Sequence, residues 1–151
     1  MQKYKKNAIF AAKDNRKMRK TFQFIRKYPL STVLIAAIWV ICLVPIPENP
    51  LSNISMMDKW THIVMYFSLS MTIAWERYRN RKKTFQSKEP WTDVALYVWL
   101  LPVMMGGVVE LAQSHCTAGV RNGDWLDFFA NASGCTLAVI CILLARCRAK
   151  A

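Results

Sequence analysis

The chain has 151 residues, 54% hydrophobic and 20% charged, with 21 Lys and Arg against nine Asp and Glu for a net charge of +12. That length holds one domain, and the apolar excess is unusual for a water-soluble domain of this size. So basic a chain could bind nucleic acid, but Lys and Arg are gathered into tracts 1–27, 76–90 and 146–151, separated by segments almost free of charge. A bilayer imposes such segregation, which argues against nucleic acid as the partner.

In chain order, residues 1–27 form a basic tail with Lys3, Lys5, Lys6, Lys13, Arg16, Lys17, Arg19, Lys20, Arg26 and Lys27, interrupted by Phe10, Phe22, Phe24 and Ile25. It can hold the N-terminus inside, or lie on an anionic leaflet as an amphipathic helix. A first apolar segment, 28–44, precedes a loop, 45–57, that contains three prolines and leads to Asp58, a residue suited to cap the next helix. The second apolar segment is 60–75. A basic loop, 77–89, follows and ends at Pro90, which suits a helix starting at Trp91. The third segment is 91–111, the next loop, 113–124, carries Arg121, and the fourth segment is 125–145, with a short basic tail at 146–151.

A helix needs about 20 residues to cross a hydrocarbon core of about 30 Å. Only the fourth segment is comfortably long, so the case for four spans is collective. With the N-terminus inside, alternation places 19 of the 21 basic residues on the cytoplasmic side and leaves only Lys59 and Arg121 outside. Trp60, Trp75, Trp91 and Trp125 fall at segment ends, where indoles favour the interface. The expected fold is all-α, an integral membrane four-helix bundle with both termini cytoplasmic: a tail (1–27), a four-span domain (28–145) and a second tail (146–151). A basic lead of 27 residues followed by no small-residue cleavage pattern argues against a signal peptide.

The five cysteines offer no disulfide framework: Cys42, Cys135 and Cys141 lie in apolar segments, Cys147 in the inner tail, and Cys116 alone in an outer loop. His115 beside Cys116 is no zinc pattern, so neither a metal nor a cofactor is expected.

Ionisable residues within spans cost about 2.5 to 3.5 kcal/mol each near the helix centre and are functional candidates by default. Asp58, His62 and Tyr66 recur every four residues on one face of the second segment, with Lys59 beside Asp58. Glu110 and Gln113 share a face of the third. In the fourth, Asp127, Asn131, Gly134 and Ala138 form one stripe, preceded by Arg121 and Asp124. Alternation places all of them near the outer face, where they can line one shallow pocket. Each also has a structural reading: Asp58 and Asp124 as N-caps, Asp127 at a helix dipole, Glu110 with Arg121 as a neutralising pair, and Ala130, Gly134 and Ala138 as a small-residue packing stripe.

The ordered blocks Asp58-Lys59-x-x-His62-x-x-x-Tyr66, Glu110-x-x-Gln113 and Arg121-x-x-Asp124-x-x-Asp127-x-x-x-Asn131-x-x-Gly134 resemble the VanZ-like family of small bacterial membrane proteins. The resemblance covers about 32–144. Ala138 departs from it, since many members carry a second glycine there. The resemblance implies a multi-pass protein of the bacterial cytoplasmic (inner) membrane with a cell-envelope role, the family being named for a protein that raises resistance to the glycopeptide teicoplanin. It implies no reaction.

Two mechanisms follow. In the first, Lys59, His62 and Arg121 hold an anionic envelope lipid or cell-wall precursor while Glu110, Asp124 and Asp127 orient them and Gln113 and Asn131 hydrogen-bond. An enzymatic version would use His62 or Glu110 as general acid or base, with no convincing nucleophile in sight. In the second, the cluster is a non-enzymatic scaffold joining helix ends. Transport calls for ionisable groups nearer the midplane or on both sides, whereas the inner half of every segment reads as apolar.

Overall fold

The computed structural model describes residues 18–19, 22–44, 56–83, 90–116 and 124–149, all of whose regular structure is helical. Residues 1–17, the prolines of loop 45–57, Arg121 and the last two residues lie outside the described set.

Helix α1, Pro29–Leu43, begins with proline at its first position, where a fixed φ suits the helix and no N–H is needed. Residues 22–27 are also helical, and hydrogen bonds from Tyr28 N–H to the Phe24 carbonyl and from Thr32 N–H to the Tyr28 carbonyl carry the chain through a bend at Tyr28. The helix stops at Val44, whose extended backbone (φ −76°, ψ 131°) is what the following Pro45 requires.

Helix α2, Met57–Lys83, is 27 residues long and overturns two expectations. Asp58 lies inside the first turn instead of capping it. The segment read as an inner loop from 77 is helical for two more turns, because Arg77 and Arg81, one turn apart, both bind Asp93 on the neighbouring helix.

Helix α3 runs from Trp91–Asp93 through a π-helical stretch, Val94–Leu100, into Leu101–Cys116. The wide turn has a local cause. Pro102 cannot donate to the Val98 carbonyl and its ring crowds that carbonyl, and the helix relieves the conflict by widening, so that Leu101 N–H donates to Leu96, five residues back. Pro90 precedes Trp91 as expected, while the helix overruns its expected end and takes in Gln113 to Cys116.

Helix α4, Trp125–Arg148, starts at Asp124, whose Oδ1 accepts from Leu126 N–H at 3.0 Å. It ends with Arg146 and Arg148 in its last turn, where cations complement the helix dipole.

Contacts between helix ends show the helices alternating in direction. The start of α1 meets the far part of α2, the starts of α2 and α4 meet the end of α3, and Arg146 at the end of α4 lies over the Trp91 ring at the start of α3. The closest pair is α2 with α4. At Gly134 a Cβ would strike the Ile63 carbonyl oxygen and reach Phe67 N at 3.0 Å, so the two backbones touch there and only glycine fits. The expected stripe on α4 is buried throughout, from Asp127 through Asn131 and Gly134 to Ala138. The core between the helices is small, built of Ile38, Cys42, Tyr66, Leu69, Val103, Val109 and Cys135.

Two helices are long and apolar enough to cross a membrane, Trp91–His115 and Trp125–Arg148, and only 39% and 28% of their most apolar windows are buried. Helix α1 is apolar but, at 15 residues, spans about 22 Å. Helix α2 has the length but is charged at both ends.

Candidate functional site

Three helices bring seven of the expected residues together at one end of the bundle. Lys59 Nζ, on α2, lies between Asp124 Oδ2 at 3.1 Å and Asp127 Oδ1 at 3.2 Å at the start of α4. One turn along, His62 is 2% exposed, and its Nδ1 is 2.9 Å from Asn131 Oδ1. Asn131 Nδ2 donates to Glu110 Oε1 of α3 at 3.4 Å, and Glu110 Oε2 accepts from Asp124 N–H at 3.3 Å. Asp58 completes the set at the rim, its Oδ1 4.0 Å from His62 Nε2.

The network fixes the direction of its own hydrogen bonds. Glu110 accepts from the amide nitrogen of Asn131, so the amide oxygen faces the imidazole; an amide oxygen only accepts, so Nδ1 of His62 carries a proton and donates it to Asn131. In the neutral ring the lone pair is then on Nε2.

Gly106 explains why Asn131 fits. A Cβ at Gly106 would come within 3.0 Å of Asn131 Nδ2 and 3.1 Å of its Cβ. The expectation from sequence passed over Gly106 and Gly107, although paired glycines in an apolar helix signal a close neighbour.

At the rim, charges tune one another. The N–H of Leu126, and then the Lys59 ammonium, hold the Asp124 carboxyl below its ordinary range, and Asp124 followed by Asp127 holds the Lys59 ammonium above its own. Both groups are partly exposed, so solvent screens their pairing.

Two expected members sit elsewhere. Tyr66 is fully buried one turn beyond His62, with no hydrogen-bond partner for its hydroxyl among the described residues. Gln113 points to α1, donating to the Cys42 carbonyl at 2.9 Å and satisfying one of the carbonyls left open at that helix end.

Beside the cluster, an apolar groove of about 440 Å³ runs between α3 and α4, lined by Met104, Gly107, Val108, Leu111, Trp125 and Phe128, with Glu110, Ser114 and Asp124 at its polar side. It joins an apolar space to the carboxylates of the cluster.

The opposite end of the bundle holds a residue that the sequence reading missed. Glu76, 3% exposed, accepts from Leu30 N–H at 2.9 Å, from Ser31 N–H at 3.1 Å and from the Ser31 hydroxyl at 2.5 Å. Helix α1 has no capping side chain of its own, and Glu76 supplies the cap from α2. The half of α2 expected to be apolar thus carries a buried carboxylate, contrary to expectation. The available signal was a lone carboxylate at the edge of a basic tract.

No family model, curated protein or solved structure matches the chain.

Proposed function

We propose that the chain is an integral membrane protein of VanZ-like type, a four-span bundle of the bacterial inner membrane with both termini cytoplasmic, which binds an envelope lipid or lipid-linked cell-wall precursor at its outer face. The family assignment rests on the ordered residue blocks alone. Topology is supported by the alternating helices, by the basic tracts flanking the Glu76 end, and by exposed Trp60 and Trp125 at one end with Trp75 and Trp91 at the other. Exposed Leu100, Leu101, Met104, Val108, Leu137, Ile140 and Leu144 give α3 and α4 surfaces suited to lipid.

The observation that carries the binding role is the buried His62–Asn131–Glu110 network opening beside an apolar groove. The groove takes an acyl chain and the cluster takes the headgroup. Lys59 is committed to two aspartates, so Arg121 is assigned the phosphate or carboxylate of the headgroup.

The scaffold reading has its own support, because Lys59, His62, Asn131, Glu110 and Gln113 all find partners within the protein. One experiment separates the two. Glu110→Gln, His62→Ala and Arg121→Ala variants are purified from membranes, and folded yield, co-purified lipids by mass spectrometry and teicoplanin susceptibility are measured. Binding predicts loss of an enriched lipid at unchanged yield. Loss of yield with no lipid enriched in the wild type supports the scaffold.

A further inference from the structure

Asp58, His62 and Asp127 place one ligand-type atom each within 4.8 Å of one another, although they come from two helices 65 residues or more apart in the cases of Asp58 and His62 against Asp127. We propose that these three side chains bind a divalent transition-metal ion of the zinc or manganese class at the end of the bundle where α2 and α4 begin.

Three independent features support it. First, His62 is prepared as a ligand: its Nδ1–H is held by Asn131 Oδ1, itself oriented by Glu110, which leaves the Nε2 lone pair facing Asp58. Metal-binding histidines are oriented in this way, by a hydrogen bond from the ring nitrogen that does not touch the ion. Second, among the described residues no hydrogen bond reaches Nε2 of the buried His62, and Asp58 Oδ1 stands 4.0 Å from it. That is too long for a hydrogen bond but within the span of about 4.2 Å open to two ligands each about 2.1 Å from one ion; the three atoms together lie within 4.8 Å, so the set must draw in slightly to close on an ion. Asp58 is exposed, and among the described residues its side chain meets only His62, so it can turn inward.

Third, two of the three converging groups are carboxylates, Asp58 and Asp127, which favour a cation between them. An imidazole with two carboxylates suits zinc or manganese better than magnesium or calcium, which take oxygen ligands. With only three protein ligands, the ion would keep a position for water or for a ligand oxygen.

The proposal does not depend on the lipid reading, and the probe is the metal alone. The full-length protein in detergent micelles is titrated with Co²⁺ and followed by visible absorption, with Mg²⁺ as competitor. The expected result is saturable binding with d–d bands and no thiolate charge-transfer band, resistant to Mg²⁺. Asp58→Asn, at an exposed position, should weaken it at least tenfold, as should Asp127→Asn. His115→Ala, which removes the exposed histidine at the end of α3, should leave it unchanged. No saturable binding, a thiolate band, or equal affinity in Asp58→Asn would overturn the proposal.

Discussion

At the Glu76 end of the bundle, donors and acceptors balance: one buried carboxylate meets three donors at the start of α1, and half-exposed Asp93 meets the guanidinium groups of Arg77 and Arg81. Arg77 also stacks on Tyr97, with its guanidinium carbon 4.1 Å from the ring centroid. At the His62 end Asp124 caps α4 and Gln113 meets the end of α1, but four carboxylates face one ammonium among the described residues, around the buried His62 imidazole. Helix termini account for the polar residues at the first end. They do not account for the buried His62–Asn131–Glu110 network at the second, where the proposed binding is placed. On that proposal the two ends should respond differently to mutation.

The largest stability loss is expected from Glu76→Ala, which strands two N–H groups and a hydroxyl. At about 1 kcal/mol for each hydrogen bond the cost is about 3 kcal/mol. Thermal unfolding followed by tryptophan fluorescence in detergent would show it, while any co-purified lipid should persist wherever the variant stays folded. Loss of the lipid in folded Glu76→Ala protein would break the division between the ends.

Glu110→Gln is expected to do the reverse. The amide keeps an acceptor for Asn131, so unfolding should shift by only about 1 kcal/mol, whereas retention of the enriched lipid should fall by about tenfold, the equivalent of about 1.4 kcal/mol. A stability loss as large as that of Glu76→Ala, with lipid retention unchanged, would move the cluster to the structural side.

Asp93→Asn removes a partly exposed ion pair and should cost about 0.5 to 1 kcal/mol, shrinking as salt is added. A salt-independent loss would show that this end is more deeply desolvated than its exposure suggests.

The smallest effect concerns Asp124. Its folded-state carboxyl titrates below the ordinary value of 3.8, so its contribution is fully present above that pH and is lost as the pH falls through the lower folded-state value. Asparagine also caps helices, so Asp124→Asn removes the charge and keeps the cap. The difference in unfolding temperature between wild type and Asp124→Asn should be constant near neutrality and close below pH 3.8. A difference that persists in acid would mean that the aspartate acts through its shape and not its charge.

Helix starts at Trp91 and Trp125 were readable because Pro90 and Asp124 act on their own sequence neighbours. The face shared by Asp127, Asn131 and Gly134 was readable because helical periodicity is local. Residue spacing also gathered the cluster at one end once the helices were taken to alternate. By contrast, the end of α2 could not be found in its composition, since Arg77 and Arg81 look like loop residues until Asp93, on another helix, is set against them.

Helical class, the segregation of basic charge and most of the polar cluster follow from periodicity and from counting, and so were legible in the residues alone. That Glu76 caps α1, that Gln113 turns to Cys42, and that Asp58, His62 and Asp127 converge came only from the folded arrangement. Those outcomes depend on which helix ends become neighbours, and the backbone contact at Gly134 sets how closely α2 and α4 approach.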